Sequence, residues 1–398
     1  VDALAFARTQ DVPLAVRSGG HSVTGSSTND GGVVINLAKL NDVEVLDPAT
    51  GLIRVGPGAR WGQVAEALLP HGLAISSGDY GGVAVGGLAT AGGIGFLSRK
   101  YGLTIDHLVG AEVVLADGRV VRADLESHPE LFWALRGAGG NFGIVTSFEL
   151  EASPVRDVVY ARMVYEAGDL AGLLERWGAV VENAPRELTS FLYAAAQGGR
   201  VPYAQIVAVH AGGADNDAVA ALTPLLDVAP VADQQALRVP YAGIVAAEDD
   251  PYYGGSTARP LVGSGLANHL SAELAKRIAA GLQTGASRWM SIRAVGGAVN
   301  DVDPMATAYP HRHQNFSVSD FGSRQDEFRA HWDALREHMD GLYINFESDT
   351  RPQRLHDAYP GETLNRLRQI KAEYDPDNVF NQNFPIRPAA SEDEAGAA

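Results

Sequence analysis

A histidine preceded by two glycines is the first feature that could carry chemistry. His21 lies in AVRSGGHSVTGSS, residues 15–27, where small hydroxyl residues follow it. An imidazole beside bare, flexible backbone can approach a bound molecule closely, because glycine has no side chain to hold that molecule away. A surface turn that happens to contain a histidine explains the same residues, so the stretch alone leaves both interpretations open.

Two further glycine clusters strengthen the first interpretation. They span 86–95 and 137–143, in a chain with 45 glycines. Backbone N–H groups from several such loops can bind one extended anionic ligand. A Rossmann dinucleotide site is disfavoured, because GAGGNFG at 137–143 has the wrong glycine spacing and leads into a predicted strand. The phosphate-binding P-loop pattern is absent.

Several motifs in order identify a family. RSGGHS, VAVGGLATAGGIGFLSRKYGLTIDHLVGAEVVLADGRVV, LFWALRGAGGNFGIVTSFEL, PHR and YDPDNVF together resemble the berberine-bridge-enzyme-like FAD-linked oxidases, of the vanillyl-alcohol-oxidase or PCMH type of FAD fold. The resemblance extends from about Val12 to Pro388. It implies an FAD-dependent oxidase that removes a hydride from an alcohol or amine of a small substrate, such as a sugar or secondary metabolite. The hydride passes to flavin N5, and O2 is then reduced to H2O2.

The resemblance also implies a covalent flavin. The histidine of GGHS, here His21, bonds to the flavin 8α-methyl carbon in this family. Many members add a cysteine bond from a stretch like C-x-x-V-G-V-G-G. The matching stretch here is YGGVAVGG, and Tyr80 takes the cysteine position. Because the chain contains no cysteine, we predict a single attachment.

The FAD contacts that the resemblance implies come from three glycine-rich loops and one C-terminal segment. They are Arg17, Ser18, Gly19, Gly20, His21 and Ser22; Val83, Gly86, Gly87, Thr90, Gly93 and Gly95; Gly140, Asn141, Gly143 and Val145; and Asn381 and Asn383.

Two residues are candidates for the catalytic base. Sugar-oxidising relatives use the last tyrosine of Y-x-N-Y, but the motif here is YINF, and Phe346 cannot accept a proton. Tyr343 then remains as a base or as a hydrogen-bonding group for the substrate. Alkaloid-type relatives use a glutamate ahead of PHR, and that position is Asp301, which could act as a base if burial raised its pKa.

Composition restricts partners and location. The formal net charge of −17 disfavours nucleic acid and anionic membranes. We expect no metal, since His311 and His313 have no obvious third ligand. No signal peptide or membrane-spanning run is visible, so we expect a cytoplasmic protein. Export stays open because the sequence begins inside a helical pattern, and the oligomeric state is not predicted.

The organisation predicted is α+β. Residues 1–155 and 347–398 form a two-part FAD-binding domain, ending in a disordered tail. Residues 156–346 form an inserted substrate domain, an antiparallel sheet backed by helices, as in the family. Two alternatives keep this fold: a flavin dehydrogenase with an acceptor other than oxygen, and a non-catalytic flavin- or ligand-binding protein.

Overall fold

A computed structural model describes residues 1–246, 261–382 and 384–389. Helices and strands are interspersed along the chain. The helices are α1 (Asp2–Arg8), α2 (Trp61–Leu68), α3 (Val85–Ala91), α4 (Ser98–Tyr101), α5 (Pro129–Leu135), α6 (Leu170–Asn183), α7 (Asp215–Leu222), α8 (Tyr241–Ile244), α9 (Ala272–Thr284), α10 (Gln325–Arg336), α11 (Arg354–Ala358) and α12 (Glu362–Tyr374).

The strands build three sheets. They are β1 (Leu14–Arg17), β2 (Val33–Asn36), β3 (Val43–Asp47), β4 (Leu52–Val55), β5 (Leu108–Val114), β6 (Val120–Ala123), β7 (Ile144–Glu151), β8 (Asp157–Glu166), β9 (Leu188–Ala195), β10 (Tyr203–His210), β11 (Val231–Pro240), β12 (Leu261–Ala267), β13 (Ser287–Ala294) and β14 (Phe316–Gly322). The predicted α+β class is confirmed.

The first half of the chain forms a five-stranded antiparallel sheet and a small parallel pair. The sheet has the order β3-β4-β7-β5-β6, and β1 pairs with β2. Successive side chains of β4 point to opposite faces of the sheet. Ile53 and Val55 are fully buried and Arg54 between them is exposed, so one face of the strand is covered. Helix α2 packs on this core through Trp61 and Leu68.

One glycine-rich segment differs from the prediction. Gly86, Gly87 and Thr90 were expected in a loop, but they lie on helix α3. Val85 and Leu88, which are buried on this helix, supply the apolar anchor that outweighs the glycines' poor helix propensity. The loop proper follows the helix, from Gly92 to Gly95.

The middle of the chain forms a seven-stranded antiparallel sheet with the order β11-β8-β10-β9-β13-β14-β12. Helices α6, α9 and α10 cover one face, where Trp177, Leu274 and Trp332 are buried. Because side chains alternate along β9, Ser190 faces the helices and accepts a hydrogen bond from Trp177, whereas Tyr193 faces the glycine-rich segments. No helix within the described residues is long and apolar enough to cross a bilayer.

Candidate active site

The His21 loop follows directly from the end of β1. Gly20, which directly precedes His21, has φ of +81°, a conformation that favours glycine. The imidazole ring meets Tyr80 edge to face, with ring centroids 6.1 Å apart. The structure therefore brings together the predicted tether and the residue at the family's cysteine position.

The first two glycine-rich segments pack too closely for side chains between them. A Cβ added to Gly19 would lie 2.8 Å from the Cβ of Ala84, and one added to Gly86 would lie 2.9 Å from Ser18 Oγ. Ser18 also donates a hydrogen bond to the carbonyl of Pro57. These glycines fix the spacing of the two segments that the sequence predicts around one cofactor.

A polar cavity of about 390 Å³ opens beside the first segment. Two arginines line it, which suits a dianionic diphosphate. Of the predicted residues it includes Arg17, Ser18 and Gly19, and the others are Asn36, Ala38, Asn41, Gly58, Arg60 and Gln63. Ser22 lies in the same loop, in a hydroxyl cluster with Thr24 and Ser26.

The third glycine-rich segment is fastened to the second and to the C-terminus. The N–H groups of Gly137 and Gly139 both donate to the carbonyl of Thr90 at 2.9 Å. Asn141, predicted as a cofactor contact, uses its amide on the backbone: it donates to Ala138 O at 2.7 Å and accepts from the N–H of Ile386 at 3.1 Å. The structure therefore gives Asn141 a role in shaping the segment.

The remaining predicted contacts occupy varied positions. Val83 is partly buried against the first core, and Val145 is buried in it, with Gly143 beside Val113. Gly87 and Gly140 have no protein atom within 4 Å of an added Cβ. Gly95 donates to Ser98, Asn381 is exposed and donates to the carbonyl of Asn378, and Asn383 lies outside the described residues.

Tyr343 lies at the start of the 3₁₀ turn Ile344–Phe346 and is 2 % exposed. Its hydroxyl oxygen accepts hydrogen bonds from the N–H of Gly93 at 2.9 Å and from Asn345 Nδ2 at 2.7 Å. Burial raises the pKa of the Tyr343 phenol, and these two donors oppose that rise. The two donors favour the phenolate, but burial has the larger effect and the net pKa stays above the ordinary value.

An ion pair with a buried arginine and a partly exposed aspartate adjoins Tyr343. The guanidinium of Arg293 lies 4.4 Å from the ring centroid of Phe346 and donates through Nε to Asp79 Oδ2 at 3.0 Å. Tyr193 donates to the same carboxylate oxygen at 3.2 Å. Burial and Asp79 hold the pKa of Tyr193 well above its ordinary value, so this tyrosine is a hydrogen-bond donor.

Sequence reasoning missed this ion pair, although each partner leaves a signal. Asp79 is the single charged residue between Ala74 and Ser98. Arg293 lies between Ile292 and Ala294 in β13, and both of these neighbours are buried. A charge inside an apolar segment usually has a buried partner, but the sequence does not identify which one.

Asp301 is not buried, contrary to the condition set for a base at this position. Its side chain is 60 % exposed and pairs with Arg186 at 2.9 Å. It lies at the end of the 3₁₀ turn Gly297–Asp301. The arrangement is that of a surface ion pair.

His311 of the PHRH segment has a structural partner. His311 is buried, and its Nε2 lies 3.0 Å from the carbonyl oxygen of Ala358. Burial lowers the pKa of His311 to about 4, so it is neutral near pH 7. Within the ranges that the structure covers, no group of three histidine or acidic side chains is arranged to hold a metal.

Comparison with known proteins agrees with this geometry. Residues 1–124 match the FAD binding domain family, and residues 342–387 match the berberine and berberine-like family. A xylooligosaccharide oxidase of Thermothelomyces thermophilus is 32 % identical over 94 % of this chain and 82 % of that protein. An (R)-6-hydroxynicotine oxidase of Paenarthrobacter nicotinovorans is 29 % identical over 97 % of this chain and 88 % of its own.

A solved structure has the same fold. The xylooligosaccharide oxidase of Myceliophthora thermophila, in complex with xylobiose, aligns with a TM-score of 0.84 at 28 % identity. The alignment covers 98 % of this chain and 89 % of that one.

Proposed function

The chain belongs to the berberine-bridge-enzyme-like family of FAD-linked oxidoreductases, and from that premise we propose that it oxidises an alcohol or amine of a small organic molecule, using an FAD attached through His21. Bound FAD supplies the acceptor for a hydride at N5 and passes two electrons on to O2, which yields H2O2. Relatives oxidise xylooligosaccharides or 6-hydroxynicotine by their names, which supports a small-molecule substrate here.

The residues present fit FAD. Gly19 and Gly86 have no room for a Cβ, so the His21 loop and the start of α3 pack closely there; we call this close contact the cradle. Arg17 and Arg60 line the polar cavity next to it. We propose that this cavity holds the diphosphate side of the cofactor. His21 and Tyr80 would hold the other end, with Tyr80 packing near the flavin in place of a second bond.

Attachment at His21 would replace one C–H bond of the flavin methyl group and one N–H bond of the imidazole with a C–N bond. Two protons would leave, and O2 would take up the two electrons released. Since the chain contains no cysteine, it cannot add a thioether bond as a second attachment. The cradle around His21 is the single observation that carries this part of the proposal.

His21→Ala tests the attachment. The protein is precipitated with acid, and the visible absorbance of the pellet and of the supernatant is measured. We expect a yellow pellet from wild type and a colourless pellet from the variant, because acid releases flavin that is not bonded. His71→Ala, a change of the exposed histidine after α2, is the matched control and should stay yellow. A colourless wild-type pellet would contradict the attachment.

We propose Tyr343, rather than Asp301, as the residue that binds and deprotonates the reacting O–H or N–H group. Tyr343 is buried beside the glycine-rich segments, and its oxygen is held by Gly93 and Asn345. Asp301 points to solvent and pairs with Arg186. Phe346 leaves the fourth motif position without a proton acceptor.

Phe346 also favours a second candidate, a flavin-binding protein without turnover. Anaerobic addition of xylobiose, 6-hydroxynicotine and related alcohols and amines separates the two, since an oxidoreductase loses its visible flavin absorbance with a true substrate. Peroxide formed on readmission of air supports the oxidase, and reoxidation by a dye alone supports a dehydrogenase.

We further propose that residues 1–155 and 347–398 hold FAD and that residues 156–346 bind the substrate.

A further inference from the structure

Asp79 binds its partners in the described part of the chain through one carboxylate oxygen. Oδ2 accepts from Arg293 Nε at 3.0 Å and from the Tyr193 hydroxyl at 3.2 Å, and Arg293 Nη2 lies 2.9 Å from the same atom. Among the described residues, no donor reaches Oδ1. The Asp79 side chain is 20 % exposed, while that of Arg293 is 5 % exposed.

This carboxylate adjoins the proposed site on two sides. It directly precedes Tyr80, whose ring contacts His21. Its partner Arg293 lies over Phe346 in the turn that carries Tyr343. Asp79 is therefore connected to the proposed flavin tether through Tyr80, and to the turn of the proposed proton acceptor through Arg293.

The charge of the pair selects the ligand. Asp79 and Arg293 together are neutral, and the guanidinium is nearly enclosed, so solvent screens it poorly. A cation at Oδ1 would lie near that guanidinium as well, and the repulsion between the two would offset much of its attraction to the carboxylate. An uncharged hydroxyl group can donate to Oδ1 without this penalty, and a charged acceptor makes that hydrogen bond strong.

Aromatic surface lies next to the carboxylate. Tyr193 stacks on Trp289 at 6.1 Å with an interplanar angle of 15°, and both residues are partly exposed. Such a surface packs against the face of a ring in the ligand.

We propose that Asp79 contacts the substrate directly, with Oδ1 accepting a hydrogen bond from an uncharged hydroxyl group, and that Arg293 and Tyr193 are positioning residues for it. The assignment rests on the proposed function, because it places Asp79 in the substrate site of the oxidase. It favours neutral hydroxyl compounds over cationic amines.

Benzyl alcohol and benzylamine are matched probes, since they share a ring and differ in charge at neutral pH. Their affinities for the flavin-loaded protein are measured by calorimetry. We expect wild type to bind the alcohol about 10-fold tighter or more. Arg293→Gln leaves Asp79 uncompensated and should shift the affinity ratio toward benzylamine by about 10-fold or more. Asp79→Asn makes the site cationic and should shift the affinity ratio toward benzyl alcohol. It should also weaken the binding of benzyl alcohol itself.

A purely structural pair would lower both affinities equally and leave the ratio unchanged, which would overturn the proposal. Failure of wild type to bind either probe, or tighter binding of the amine, would overturn it as well. Asp79→Asn is nearly isosteric and suffices if Arg293→Gln does not fold. Asp333→Asn, in an exposed pair with Arg336 on α10, is the matched control. The binding measurement does not require turnover. If no substrate reduced the flavin, the proposed function would be contradicted, but the affinity ratio could still be measured and interpreted.

Discussion

Two opposing influences act on the phenol of Tyr343. Enclosure by the protein disfavours the phenolate, and this effect dominates, so the pKa lies above the ordinary value of 10. The N–H of Gly93, the amide of Asn345 and the nearby Arg293 all favour the phenolate and limit the rise. Near pH 7 the group is protonated, and it becomes a base only as the pH increases.

Tyr343→Phe removes one oxygen atom and tests whether Tyr343 acts as a base. In wild type the phenolate fraction grows about tenfold per pH unit below the pKa, so kcat/KM should rise through the alkaline range. The variant should lose the rise and about 10²-fold or more of the alkaline rate. The measurement is a pH profile of kcat/KM with a substrate found by flavin bleaching.

Tyr165→Phe is the control for Tyr343, because Tyr165 is also a buried phenol and donates to the carbonyl of Leu225 on the helix-covered side of the sheet. Its profile should keep the alkaline rise. An equal loss at every pH in Tyr343→Phe would identify a hydrogen-bond donor and contradict a base.

Motifs predict some site residues and not their partners. His21 and Tyr343 could be singled out because glycines and the Y-x-N pattern surround them. Asp79 and Arg293 could not be paired, since 214 positions separate them in the sequence. The exposure of Asp301 could not be predicted, because its partner Arg186 lies 115 positions away in the sequence.

At the scale of elements, close approach of backbone segments organises the site. Strands were predictable where apolar and charged residues alternate, as in Val43–Val45 of β3 and Ile53–Val55 of β4. Helix α3 was not, because glycine content indicates a loop while Val85 and Leu88 anchor a helix. Glycine serves there to let α3 approach Ser18, which only the tertiary structure reveals.

Gly19→Ala tests that close approach. The added methyl would lie 2.8 Å from Ala84 Cβ and 3.0 Å from Ala84 N, so the His21 loop and the start of α3 must separate. We expect a loss of about 1–3 kcal/mol in unfolding free energy and at least a several-fold lower ratio of flavin to protein absorbance. Gly213→Ala, where no atom lies within 4 Å, should match wild type in both. Normal flavin content in Gly19→Ala would contradict the cradle.

At the scale of the whole molecule, the C-terminal segment returns to the first sheet and closes the third glycine-rich segment. Lys371 on α12 is fully buried and pairs with Asp375 at 2.6 Å. Its ammonium also donates to the carbonyls of Asn141 at 2.6 Å and Phe380 at 2.8 Å. One side chain therefore links α12, the glycine-rich segment and the chain that follows the helix.

Lys371→Met should destabilise the protein by about 3–5 kcal/mol, because it leaves Asp375 buried without a cation. The loss is measured by urea unfolding, and limited proteolysis should show earlier cleavage after α12, since the tie to Phe380 is gone. Adding Asp375→Asn removes the stranded charge and should restore part of the stability, so the two changes are not additive. Arg119→Met removes the exposed pair with Asp117 and should stay within about 1 kcal/mol of wild type. If Lys371→Met matched this surface control, the buried pair would not be what holds the C-terminal segment against the glycine-rich segment.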